Sequence, residues 1–137
     1  MSAASDYLEK AVLDHVLGGS DFTRPATVYF ALFTAVADGD AGSVTDVSGN
    51  NYSRASVTNN NTNFPGTTLG TGRKASGTEI AFPTASGAWG TVTHWGIYDA
   101  SSAGNLLFWG TLTSGSRSIV SGDTPRFTAG SFAITCA

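Results

Sequence analysis

The chain has 137 residues, 41% of them hydrophobic but only 12% charged, and a net charge of −3 at pH 7. That length suits one domain with its own core, and the hydrophobic share excludes a disordered chain. Seven Lys and Arg scattered without a basic stripe argue against nucleic acid as the main partner. No apolar run approaches the ~20 residues of a membrane-spanning helix, so membrane insertion is not expected.

The charged share is about half the usual ~25%, so Ser, Thr, Asn and Gly must supply the polar surface. Such a weakly hydrated surface suits a chain packed against copies or partners. The opening MSAASDYLEK has neither the basic nor the apolar region of a secretion signal, which predicts synthesis in a cytoplasm. Cys136 is the single cysteine, which excludes an internal disulfide; it reads as a small filler rather than a reactive thiol.

Residues 5–19, SDYLEKAVLDHVLGG, predict an amphipathic helix. Leu8, Val12 and Val16 recur at i, i+4, i+8, and Leu13 and Leu17 widen the stripe. Asp6 and Glu9 stand at capping-box spacing, Gly18-Gly19 supplies a stop, and His15 in the last turn suits the helix dipole as a partly positive ring. TVYFALFTAV, residues 27–36, then predicts a strand. Val28, Phe30 and Leu32 fall on one face, and Tyr29, Ala31 and Phe33 on the other. Both faces are apolar, so both should be covered, by the helix, a second sheet or a neighbouring subunit.

Residues 37–49 read as a Gly- and Asp-rich loop, 52–57 as a short strand, and 59–77 as a long, turn-rich loop that is functional or mobile. Residues 78–83 read as another strand. All three tryptophans lie in WGTVTHWGIYDASSAGNLLFWGTLT, residues 89–113. Period two puts Trp89, Thr91, Thr93, Trp95 and Ile97 on one face, and Val92, His94 and Tyr98 on the other. Residues 99–105 form a hairpin loop. The returning strand sets Leu106, Phe108 and Leu112 against Leu107, Trp109 and Thr111. RSIV and FTAGSFAITC supply the last strands. Six to eight strands, one N-terminal helix and no βαβ alternation predict a mainly β fold. The expected architecture is an antiparallel β-sandwich of jelly-roll or Ig-like kind, forming a single domain over 1–137 with the sandwich in 27–137.

No set of residues predicts catalysis, a metal or a cofactor. Two histidines on different elements, without CxxC or HxxxH, do not make a zinc site, and no GxSxG elbow or phosphate-binding loop occurs. His94 between tryptophans reads either as a proton carrier or sugar-binding group, or as a strand histidine bonded to backbone or packed on a ring; the second is favoured. Asp38, Asp40 and Asp46 lack a calcium-loop spacing and read as a solvated turn. The tryptophans read either as a platform stacking on sugar rings or as core and interface anchors. Their adjacent glycines, Gly90, Gly96 and Gly110, favour close sheet packing, in which a neighbouring ring lies over bare backbone.

Three stretches, DYLEKAVLDHVLGGSDFTRPATVYFALFTA, IAFPTASGAWGTVTHWGIYDASSAGNLLFWGTLT and SGDTPRFTAGSFAIT, resemble the small tail-fibre-like structural proteins of tailed bacteriophages. The resemblance runs nearly end to end and is weakest over residues 37–77. It implies a virion component without enzymatic activity: a tail fibre or tail tip element, or a capsid decoration protein. The apolar faces add an assembly mechanism, with Leu8, Val12, Val16, Tyr29, Phe33, Trp89, Trp95 and Trp109 as the interface candidates. The expected partners are copies of the chain, with a trimer favoured, and other phage virion proteins. The alternative is a carbohydrate-binding module that recognises a host cell-surface glycan through aromatic side chains.

Overall fold

Strand Thr27–Asp38 pairs on both edges and buries both faces, so the rest of the chain is arranged around it. In the computed structural model, which describes residues 2–136, twelve short strands and one helix follow in order. They are β1 (Ser2–Ala4), α1 (Asp6–Val16), β2 (Thr27–Asp38), β3 (Ser43–Asp46), β4 (Ala55–Thr58), β5 (Arg73–Ala75), β6 (Ile80–Ala81), β7 (Gly90–Val92), β8 (His94–Tyr98), β9 (Leu106–Thr111), β10 (Arg117–Ile119), β11 (Arg126–Phe127) and β12 (Ala133–Thr135). The main sheet has six strands in the order β1-β9-β8-β2-β3, with β4 also on β2. Three separate two-stranded ladders, β10–β7, β11–β6 and β12–β5, supply the second layer. Every pair is antiparallel.

The protein is thus mainly β and antiparallel, with one helix near its N-terminus. The strands exceed the expected six to eight because the second layer is divided into ladders of two or three pairs. β1, ahead of the helix, joins the main sheet by pairing with β9, although the sandwich was expected to start at residue 27. Residues 37–49 contain β3, which returns along β2, and the predicted 59–77 loop ends in β5.

Both faces of β2 are occupied as its pattern requires. Val28, Phe30 and Leu32 join Ile80, Phe82, Trp89, Val92, Trp95, Ile97 and Phe132 in the core between the sheet and the ladders. Ala31 and Phe33 join Tyr98 and Leu106 on the opposite face, flanked by Tyr29, Val36, Val44 and Trp109. Phe30 meets Phe132 edge-on with centroids 4.9 Å apart, and Trp95 meets the same ring at 4.5 Å. Such edge contacts suit the ring quadrupole.

Two face assignments are corrected. Period two does not run unbroken from Trp89 to Ile97, because the strand divides at Thr93. The Thr93 N–H leaves the ladder to donate to the Phe33 carbonyl, and Gly90 takes a positive φ of 82°. Val92 therefore lies in the same core as Trp95, and Thr91 is exposed. On β9, a bulge between the pairs Ile97↔Phe108 and Tyr98↔Leu106 inserts Leu107. Leu106 and Trp109 consequently share a face and Phe108 takes the other, contrary to simple alternation.

Gly96 is the position where bare backbone is required. It pairs with Ala31 on one side and Trp109 on the other, and a Cβ there would overlap the Phe33 ring and a Leu106 methyl. Phe33 is fully buried and has nowhere to move. Gly96→Ala is expected to cost roughly 1–3 kcal/mol by overpacking. Denaturant unfolding checks this; unchanged stability would show that Phe33 does not seal this face.

Candidate functional site

The helix is held to the main sheet at its first turn. Ser5 is buried, its N–H donates to the Leu107 carbonyl at 2.9 Å, and its hydroxyl donates to the Leu106 carbonyl at 2.5 Å. The same oxygen accepts the Leu8 N–H at 3.3 Å, which makes Ser5 the N-cap. The Asp6–Glu9 capping box is thereby corrected: Asp6 lies inside the helix, and its N–H donates to the Asp40 carbonyl. The far end also differs from expectation. The helix closes at Val16 with Leu17 as C-cap at φ −122°, before the Gly18-Gly19 pair, so no left-handed glycine is used. His15, in the last turn, accepts the Phe22 N–H at Nδ1 at 3.2 Å, so its ring ties the helix end to the following turn.

Beyond Leu8, which is buried, the apolar stripe faces outward. Val12 is 45% exposed, Leu13 60%, Val16 67% and Leu17 83%. Glu9 stands among them at helical spacing, three, four and seven residues ahead of Val12, Leu13 and Val16, and its carboxylate has no hydrogen-bond or ion-pair partner among the described residues. Beside the row, Lys10 pairs with Asp14, which raises the Lys10 pKa through its hydrogen bond and charge.

The remaining interface candidates divide into two groups. Phe33, Trp89 and Trp95 are buried within this chain. The Trp89 indole N–H donates to the Asn50 carbonyl, so its polar end is satisfied too. Tyr29 and Trp109 are half-buried and flank the opposite-face cluster. Trp109 lies over Gly39, where any Cβ would overlap the indole, and donates its N–H to Asp40 Oδ1 at 3.1 Å. His94 is bonded to the Thr93 hydroxyl at 2.7 Å, and its ring centroid lies 6.1 Å from that of Trp109. Partial burial lowers its pKa. Asp38, Asp40 and Asp46 point to different partners: the Ala41 N–H, Trp109 and Arg54.

Arg54 was not singled out by the sequence, yet it holds one end of the sheet together. Its Nε and Nη2 donate to Asp46 Oδ2 at 3.2 and 3.0 Å, and Nη1 donates to the carbonyls of Ala100 and Ala103. Its guanidinium lies 3.5 Å from the Tyr98 ring centroid. A planar fork over an aromatic face is a geometry that Lys does not reproduce. The scarcity of charge in this chain is the only signal that could have pointed to it. Tyr52 belongs to the same region; burial pushes its phenol pKa up, while its oxygen accepts the Leu32 N–H at 3.0 Å.

The family model of the podophage GP4 fiber I protein gp80 matches residues 3–135, nearly the whole chain. No curated protein matches. The chain belongs to this family of phage fibre structural proteins and is a virion component.

Because Trp89 and Trp95 are each only 5% exposed, iodide should quench little of their emission. Trp89→Ala and Trp95→Ala should each cost roughly 3–5 kcal/mol, as expected for truncating a buried indole. A Trp89→Ala protein as stable as the unmodified chain would contradict this burial.

Proposed function

We propose that this member of the gp80 fibre family is a non-enzymatic fibre subunit that assembles with copies of itself, as a trimer, through the outward face of α1. The observation that carries the reading is the exposed row Val12, Leu13, Val16 and Leu17 on a helix fixed to the sheet at its first turn. A capped helix held to the sheet by Ser5 keeps that row pointed away from its own core. Among the other candidates, Tyr29 and Trp109 still have surface to offer other virion proteins.

Magnitudes set the strength of such a contact. Burying these four side chains contributes roughly 4–8 kcal/mol, allowing for their present partial exposure. Association costs on the order of 4–15 kcal/mol in lost freedom. The row alone therefore gives a weak contact, and a stable oligomer needs an apolar acceptor rather than water-exposed rims.

Glycan recognition by aromatic side chains has less support. Two of the three tryptophans are sealed in the core, and Trp109 lies flat on Gly39 with its N–H already given to Asp40. A role as a head decoration has no feature in its favour that the fibre reading lacks.

The paired substitution Leu13→Asp, Leu17→Asp should convert the oligomer to a monomer in sedimentation velocity. Thermal stability of the subunit should change little, because both side chains are exposed. Unchanged sedimentation would overturn α1 as the assembly surface.

A further inference from the structure

We infer that the outward face of α1 docks head to tail into a cleft between the main sheet and the ladders of a second copy of this chain. The inference rests on α1 being the assembly surface and names its acceptor. The cleft has a volume of about 690 Å³. Leu112, Ile119 and Phe127, each half-buried, give it apolar walls, and the almost wholly covered Leu32 and Trp95 of the core also line it. The three ladders are not hydrogen-bonded into one sheet, and the cleft lies along the side of the core that they cover. Half-buried apolar walls accept an apolar insert, and Val12, Leu13, Val16 and Leu17 form one.

Charge supports the same pairing. Glu9 stands within the apolar row and has no partner among the described residues. Arg117 is exposed at the cleft wall and likewise has none. Arg126, also on the wall, is paired with Glu79 at 3.4 Å. Docking brings a lone carboxylate to a lone guanidinium, a geometry that favours the charge-assisted bond.

The helix cannot fill the cleft of its own chain. Ser5 fixes its start to the carbonyls of Leu106 and Leu107, and Leu106 packs with Phe33 and Tyr98 on the sheet face opposite the cleft. Donor and acceptor are therefore different surfaces of different copies. Such a contact closes into a ring, a trimer when each step turns by a third, or otherwise runs on as a filament.

Two defective chains test this. The helix variant Leu13→Asp, Leu17→Asp keeps its cleft, and the cleft variant Thr113→Trp, at an exposed wall position, keeps its helix. Each should be monomeric alone, and their mixture should give a 1:1 complex and nothing larger. In addition, Glu9→Arg and Arg117→Glu should each weaken self-association at least tenfold, and the two combined in one chain should recover most of it. The inference is overturned if Thr113→Trp assembles like the unmodified chain, if the mixture gives no complex, or if the charge exchange restores nothing. Should the helix variant be monomeric while Thr113→Trp assembles normally, α1 remains the assembly surface but packs on other helices. Should the helix variant assemble normally, the assembly reading falls and this inference with it.

Discussion

Everything in this protein is placed by the double burial of β2. Phe30 and Phe33 follow one another at three-residue spacing, face opposite sides, and are both fully buried. A strand of that kind must be paired on both edges and covered on both faces. β8 supplies one edge, with Gly96 leaving room for the Phe33 ring, and β3 and β4 supply the other. The ladders close one face around Phe132, Trp95 and Trp89. The hairpin, held by Arg54 on Tyr98, closes part of the second.

That arrangement uses the aromatic side chains internally and leaves aliphatic ones outside. Trp89 and Trp95 are enclosed, whereas Leu13, Val16 and Leu17 are not. The division follows from Ser5. One buried hydroxyl caps the helix and binds the Leu106 carbonyl, so the sheet sets the direction in which the helix leaves. Such a division separates the residues that make the fold from those left at the surface.

Where sequence alone was sufficient, the periodicity was long and the constraint local. The apolar doublet pattern of TVYFALFTAV could only be a strand covered on both faces, and DASSAGN between two apolar runs could only be a turn. The ring lying over Gly96 was expected from glycine beside tryptophan, although the ring belongs to Phe33 and not to an indole. Legibility failed where distant groups decide. Ser5 and Asp6 are both good caps, and the choice is made by a carbonyl 101 residues away. The division at Thr93 depends on a bond to Phe33, and the Leu107 bulge depends on how β9 meets β8. Ladders of two or three pairs are too short to leave a period at all. The outward turn of α1 was equally hidden, since the same stripe would serve a helix packed on its own sheet.

An apolar helix face turned away from its own core is exposed to water at a cost, which the proposed contact between copies would remove. Hydrogen exchange across residues 6–17, compared between dilute subunit and assembled fibre, tests this most directly. Strong protection of these amides on assembly, with β2 unchanged, is the predicted result. Amides of α1 that exchange as fast in the fibre as in the free subunit would contradict it.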